Sequence, residues 1–256
     1  MLGSNGGNQT TSVMVPTGSG ELVSKRIAPT TDWTDMGSTE HFVQFYESDE
    51  FIVSSVAEYL IHGLKSGECC IIAATPEHIA EIENIISEYM SGLEIAKKDG
   101  RFIALNAHET LSEFMVDGMP DPELFSEVVG TIVRNAHKLG GGVRAYGEMV
   151  GVLCSEDNFE GAIKLEDLWN KLRDEVSFSL FCGYPMSSLS HPTASHHMVH
   201  ICSEHSRVIP GESYTALPNA DSRLRAIAAL QQKTHQLKAE LAEMERRMAE
   251  KERLAA

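Results

Sequence analysis

Five histidines, His191, His196, His197, His200 and His205, gather with Cys202 inside fifteen residues. On a helix His196 and His200 stand one turn apart and could offer two nitrogens to one ion. Cys202 lies two residues past His200 and points to another face. Neither a helical HExxH nor a paired CxxC accompanies the group. The expectation is a solvated helix face with one hydrogen-bonded histidine, and no metal.

The turn Tyr46-Glu47-Ser48-Asp49-Glu50 connects an apparent strand to a helix, the place where a phosphate-binding loop would sit. It has none of the glycines that let backbone amides cradle phosphate, and no Lys-Ser/Thr pair to neutralise it and hold magnesium. Three acids at that helix start oppose a triphosphate and instead satisfy the helix dipole themselves. Cys182 precedes Gly183-Tyr184-Pro185 inside an apolar run, which suits core packing or a pocket wall better than a nucleophile. No GxSxG elbow is present. These absences predict a protein that is not an enzyme and carries no cofactor.

A third group consists of polar residues at strand ends: Glu47 and Ser48, Thr75, Asn106, Glu148 and Tyr184. In a parallel sheet they share the carboxyl edge, where open α/β folds place ligands. With Tyr46, Phe45, Met149 and Cys182 as walls, such a cleft could hold a small molecule through few polar contacts. The alternative is structural, with Glu148 capping a helix and Tyr46 only packing.

The elements that must position these groups are legible as apolar patterns. Strands are expected over 41–46, 69–74, 101–105, 143–147 and 177–182, with Cys69 to Ala74 apolar throughout, as in a strand buried on both faces. Helices are expected over 51–65, from Thr75-Pro76-Glu77 to about 90, near 109–116, over 122–139, around Leu165, Leu168, Trp169 and Leu172, and near 193–205. Strands alternating with helices imply βαβ crossovers and a three-layer, mainly parallel α/β domain.

The 256 residues are enough for one such domain plus an appendage. A net charge of -16 argues against direct nucleic-acid binding and against anionic lipid. No signal peptide and no membrane span is visible, and scattered cysteines inside apolar runs suit a reduced cytoplasm. Residues 1–38, rich in Gly, Ser and Thr, are expected to be a disordered leader. From 216 a linker leads to a different pattern: Ile227, Leu230, Thr234, Leu237, Leu241, Met244 and Met248 alternate steps of three and four. That is the seam of a coiled coil, expected to pair two copies of the chain through 222–254. The alternative is a single helix folding back on the domain. His235 lacks the context of a phosphoacceptor.

Several stretches together carry a resemblance. HFVQFYESD from His41, ETL from Glu109 with Phe114-Met115 and DGMPD from Asp117, VRAYGEMV from Val143, LEDLWN from Leu165 and HSRVIPGESY from His205 resemble a MEDS domain over residues 39–215. The resemblance implies a cytoplasmic input module, sensing small hydrocarbon derivatives and joined to histidine kinase, PAS or helix-turn-helix outputs. It also implies a fold similar to the RecA-like core with a degenerate phosphate loop. Where many members carry an aspartate before the alanine after the third strand, this chain has Asn106-Ala107. The resulting expectation is a signal-transduction sensor that binds a small organic ligand and relays through a coiled coil; the alternatives are a ligand-free adaptor or a diverged ATPase.

Overall fold

The computed structural model describes residues 13–16, 22–25 and 39–255, except for 190–193. Side chains are not described at 13–16, 22–25, 194–196, 252 and 255, so the histidine helix is read from residue 197 onward. The leader expected over 1–38 lies outside the described residues, apart from β1 (Val13–Pro16) and β2 (Leu22–Lys25), which pair as an antiparallel hairpin.

The central sheet has six strands, β3 (His41–Tyr46), β4 (Cys69–Ala74), β5 (Phe102–Asn106), β8 (Val143–Gly147), β9 (Ser179–Pro185) and β10 (Arg207–Ile209). Their order is β10-β3-β9-β8-β4-β5, and every pairing is parallel. The sequence reading gave five of these strands; β10 was too short to show a period. A small hairpin of β6 (Met115–Val116) and β7 (Met119–Pro120) interrupts the expected helix near 109–116. Asp117 and Gly118 form its turn, both at positive φ.

Helices cover both faces. On one face lie α1 (Asp49–Lys65), α2 (Pro76–Tyr89) and α3 (Leu93–Lys98), whose Ile52, Val56, Leu60, Ile82, Ile86 and Leu93 join Phe42, Cys70, Ile72, Tyr146 and Phe181. The opposite core is built by α4 (Ala107–Phe114), α5 (Pro122–Phe125), α6 (Thr131–Lys138), α7 (Met149–Ser155), α8 (Phe159–Glu175) and α9 (Ala194–Glu204) against Val43, Phe45, Cys69, Ala145 and Leu180. The single helix expected over 122–139 is divided by a widened π turn at Ser126–Gly130. The alternation of β3 explains the two cores: Phe42 and Tyr46 face the first, Val43 and Phe45 the second.

Local chemistry fixes the ends that matter. Thr75 caps α2 through the His78 amide, with Pro76 at the first helical position, where a missing N–H costs nothing. Gly140, Gly141 and Gly142 all take positive φ before β8. At Gly141 a Cβ would also strike the Gly67 carbonyl at 2.3 Å, so this bend requires glycine.

The chain divides into two units, one through Thr215 and one from Ala216. The first ends with α10 (Glu212–Thr215). The second is the long helix α11 (Ala220–Ala255), whose start is capped by the Asn219 side chain accepting from the Ser222 amide. Its apolar seam is exposed, with Leu230, Leu237, Leu241, Met244 and Met248 each more than half accessible. Among the described residues, no helix is long and apolar enough to cross a membrane.

Candidate functional site at the carboxyl edge of the sheet

Strand β4 continues into α2 on one face, while the adjacent β8 continues into α7 on the other. Connections diverging from neighbouring parallel strands open a crevice at their carboxyl ends. Glu148 stands at that edge, almost fully buried. Its amide donates to the Ala73 carbonyl at 2.8 Å, which binds it to the end of β4. It occupies the N-cap position of α7, yet its side chain makes no capping bond.

The carboxylate turns instead toward β4 and α2. Oε1 accepts from the Tyr146 hydroxyl and from His78 Nδ1, both at 2.6 Å, and Oε2 accepts from the Thr75 amide at 3.1 Å. His78 Nε2 reaches Asp49 Oδ1 at 3.5 Å, so this imidazole joins a buried carboxylate to an exposed one. Burial opposes a charged ring at His78, but the bond and charge of Glu148, with Asp49 behind it, outweigh burial and raise its pKa. Burial, with Glu148 and Asp49 nearby, also holds the Tyr46 hydroxyl above the ordinary phenol range. Tyr146 is raised for the same first reason, burial, and then by Glu148. Its hydroxyl needs room: a Cβ at Gly183 would lie 2.6 Å from it.

The other sequence-predicted residues are distributed among three further settings. Glu47 and Ser48 form a clasp with the segment before the helical unit. The Glu212 carboxylate accepts from the Glu47 and Ser48 amides, both at 2.7 Å, and from the Ser48 hydroxyl at 2.8 Å, while Ser213 donates to Glu47. A side-chain carboxylate thus fills the amide pair that a phosphate-binding turn would offer to an anion. Asn106 caps α4, accepting from the amides of His108 and Glu109.

Cys182 and Tyr184 are not at the edge crevice but inside a second buried cluster, between β3, β9 and α8. There the Tyr184 hydroxyl donates to Glu166 Oε1 at 2.7 Å, and His41 Nε2 lies 3.2 Å from Glu166 Oε2. Burial, reinforced by Glu166, pushes the Cys182 thiol far above its ordinary value. His205, from the histidine-rich stretch, also points here. His197 instead stacks on Phe159 at 5.0 Å, and His200 lies 3.9 Å from Glu204.

Sequence reasoning missed His78, Tyr146, His41 and Glu166. His41 shares the inward register of Val43 and Phe45, and Glu166 lies on the apolar stripe of α8 between Ala162 and Trp169. A titratable group on a buried face signals a paired group, and that signal was available.

The fold and these sites define an α/β domain whose parallel sheet carries a buried carboxylate centre at its carboxyl edge. Residues 40–200 match the model of the MEDS family, the MEthanogen/methylotroph, DcmR Sensory domain, and the chain belongs to this family. Its role is accordingly sensory. No curated protein matches the chain.

Proposed function

We propose that the chain is a cytoplasmic, non-enzymatic input module that binds a small organic molecule, a hydrocarbon derivative, at the Glu148 crevice. The observation that carries this reading is the Glu148–His78–Tyr146 ring at the point where β4 and β8 part. A fixed carboxylate, an imidazole and two phenols beside apolar walls supply the few oriented polar contacts a small ligand needs. The parallel sheet and the acidic turn after β3 support kinship with a RecA-like core that has given up triphosphate binding.

The output runs along the chain through the Glu212 clasp, four residues before the second unit begins. A ligand that binds better with the clasp open shifts the population of the segment leading to α11. The exposed seam of α11 supports pairing of two copies as a parallel coiled coil, passing the signal to a histidine kinase or a transcriptional output. Net charge -16 supports neither nucleic acid nor membrane as a direct partner.

Thermal-shift screening tests the reading. Short alcohols or halocarbons should raise Tm, Glu148→Gln should reduce the shift, and ATP should give neither stabilisation nor turnover. Stabilisation by ATP alone would favour a diverged ATPase, and no stabilisation by any compound an adaptor. Sedimentation should show a dimer that Leu237→Lys with Leu241→Lys converts to monomer.

A further inference from the structure

We propose that His41, Glu166, Cys182 and His205 form a closed four-coordinate site for a divalent cation of the zinc class. The four residues come from β3, α8, β9 and the turn before β10, up to 164 positions apart (205 − 41). Each is at most 8% exposed, and one donor atom from each lies within 4.8 Å of the other three.

The spacing suits an ion. Glu166 Oε2 is 3.2 Å from His41 Nε2 and 3.9 Å from Cys182 Sγ; His41 Nε2 and Cys182 Sγ are 3.3 Å apart. His205 Nε2 is 3.5 Å from Glu166 Oε1. Ligand bonds of about 2.0–2.3 Å in a tetrahedron give edges of roughly 3.3–3.7 Å. Two imidazoles, a thiolate and a carboxylate are also a donor set that zinc-class ions take.

The surroundings fix the tautomers. Asn170 donates through Nδ2 to Glu204, so its Oδ1 is an acceptor, and the His41 Nδ1 that lies 2.9 Å from it is the donor. His205 Nδ1 likewise donates to the Ile201 carbonyl at 2.6 Å. In the neutral rings both Nε2 atoms therefore present bare lone pairs toward the same point, as metal-binding histidines do when their other nitrogen is anchored.

His205 Nε2 is the decisive atom. It is buried and has no hydrogen-bond partner, yet a carboxylate oxygen faces it at 3.5 Å. A cation placed between two acceptors that confront one another in a buried cluster satisfies both. A divalent ion with one thiolate, one carboxylate and two neutral imidazoles is electrically balanced, which removes the cost of burying an unpaired Glu166 charge. On binding, the Cys182 S–H bond breaks, an S–metal bond forms, and one proton leaves to solvent; no electron moves. With four protein ligands the position for a substrate is filled, so the ion is structural. It ties the turn before edge strand β10 to β3, β9 and α8.

Co2+ titration of the reduced full chain, with metal analysis of protein grown with zinc, tests this. About one equivalent per chain is expected, with a thiolate-to-cobalt charge-transfer band and a Tm that falls on chelation. Cys202→Ser should keep the band, Cys182→Ser should lose it, and Asn170→Ala should weaken binding about 10- to 100-fold. Wild-type protein that binds no stoichiometric Co2+ overturns the proposal, as does a band that survives Cys182→Ser or is lost in Cys202→Ser. If the ring pair shares a proton instead, wild type will show no cobalt band and a titrating imidazolium.

Discussion

Two buried carboxylates, Glu148 and Glu166, lie on the same fold and are satisfied differently. Glu148 meets three donors, the Tyr146 hydroxyl, His78 and the Thr75 amide, and one of them leads out to the exposed Asp49. Glu166 is completely buried and meets one hydroxyl and two imidazoles, of which His205 brings a lone pair rather than a proton. The contrast separates a carboxylate linked through one imidazole to the exposed Asp49 from one ringed by His41, His205 and Tyr184. On the function proposed above, the first suits a ligand and the second a fixed internal tie.

Substitutions can break this contrast. Glu166→Ala should have the largest effect, a loss of about 3–5 kcal/mol in urea unfolding, because it strips a fully buried polar cluster of its carboxylate. Glu148→Ala should cost less, about 1–3 kcal/mol by the same measurement, since water can replace part of what His78 and Thr75 lose. A loss at Glu148 as large as that at Glu166 would erase the distinction between the two sites.

Gly183→Ala sharpens it from another side. The added methyl would meet the Tyr146 hydroxyl at 2.6 Å and push it from Glu148. A cost of about 1–3 kcal/mol is expected. Tyr146→Phe in the same background should relieve part of it, and additive losses would contradict the contact.

The smallest effect concerns pH. His78 is raised above 6.5 in the folded protein. Its pairing with Glu148 therefore stabilises fully below pH 6.5 and is lost as pH climbs through the raised value. Stability of the wild type should fall over that alkaline step, and His78→Gln should flatten it. Histidine NMR of the wild type should place His78 above the ordinary range; a value at or below 6.5 would contradict the ring.

Much of this was legible because burial in a parallel sheet demands apolar runs. Cys69 to Ala74 reads as a strand, and Thr75-Pro76 as a helix start, without tertiary information. Glu148 was legible as a group at a strand end, though its partners were not. His78 sits in the first turn of α2, where a histidine reads as solvated until the fold brings Glu148 against it. The short strand β10 and the helix α7 escaped because three residues show no period, and because Met149–Ser155 continues an apolar run without a break. The histidine-rich stretch reads as a solvated helix face with one hydrogen-bonded histidine, whereas His205 finds its neighbours on β3, α8 and β9. Local spacing does not reveal such long-range convergence. A charged residue on an apolar helix stripe, as at Glu166, does.

The central claim is that the crevice at Glu148 reads the ligand while the Glu166 cluster only holds the fold. Calorimetric titration of short alcohols and halocarbons into Glu148→Gln and Asn170→Ala, beside the wild type, tests it most directly. The account predicts saturable binding weakened at least about tenfold by Glu148→Gln, at the scale of one lost charged hydrogen bond, and unchanged by Asn170→Ala. Affinity that survives Glu148→Gln and falls with Asn170→Ala would contradict it.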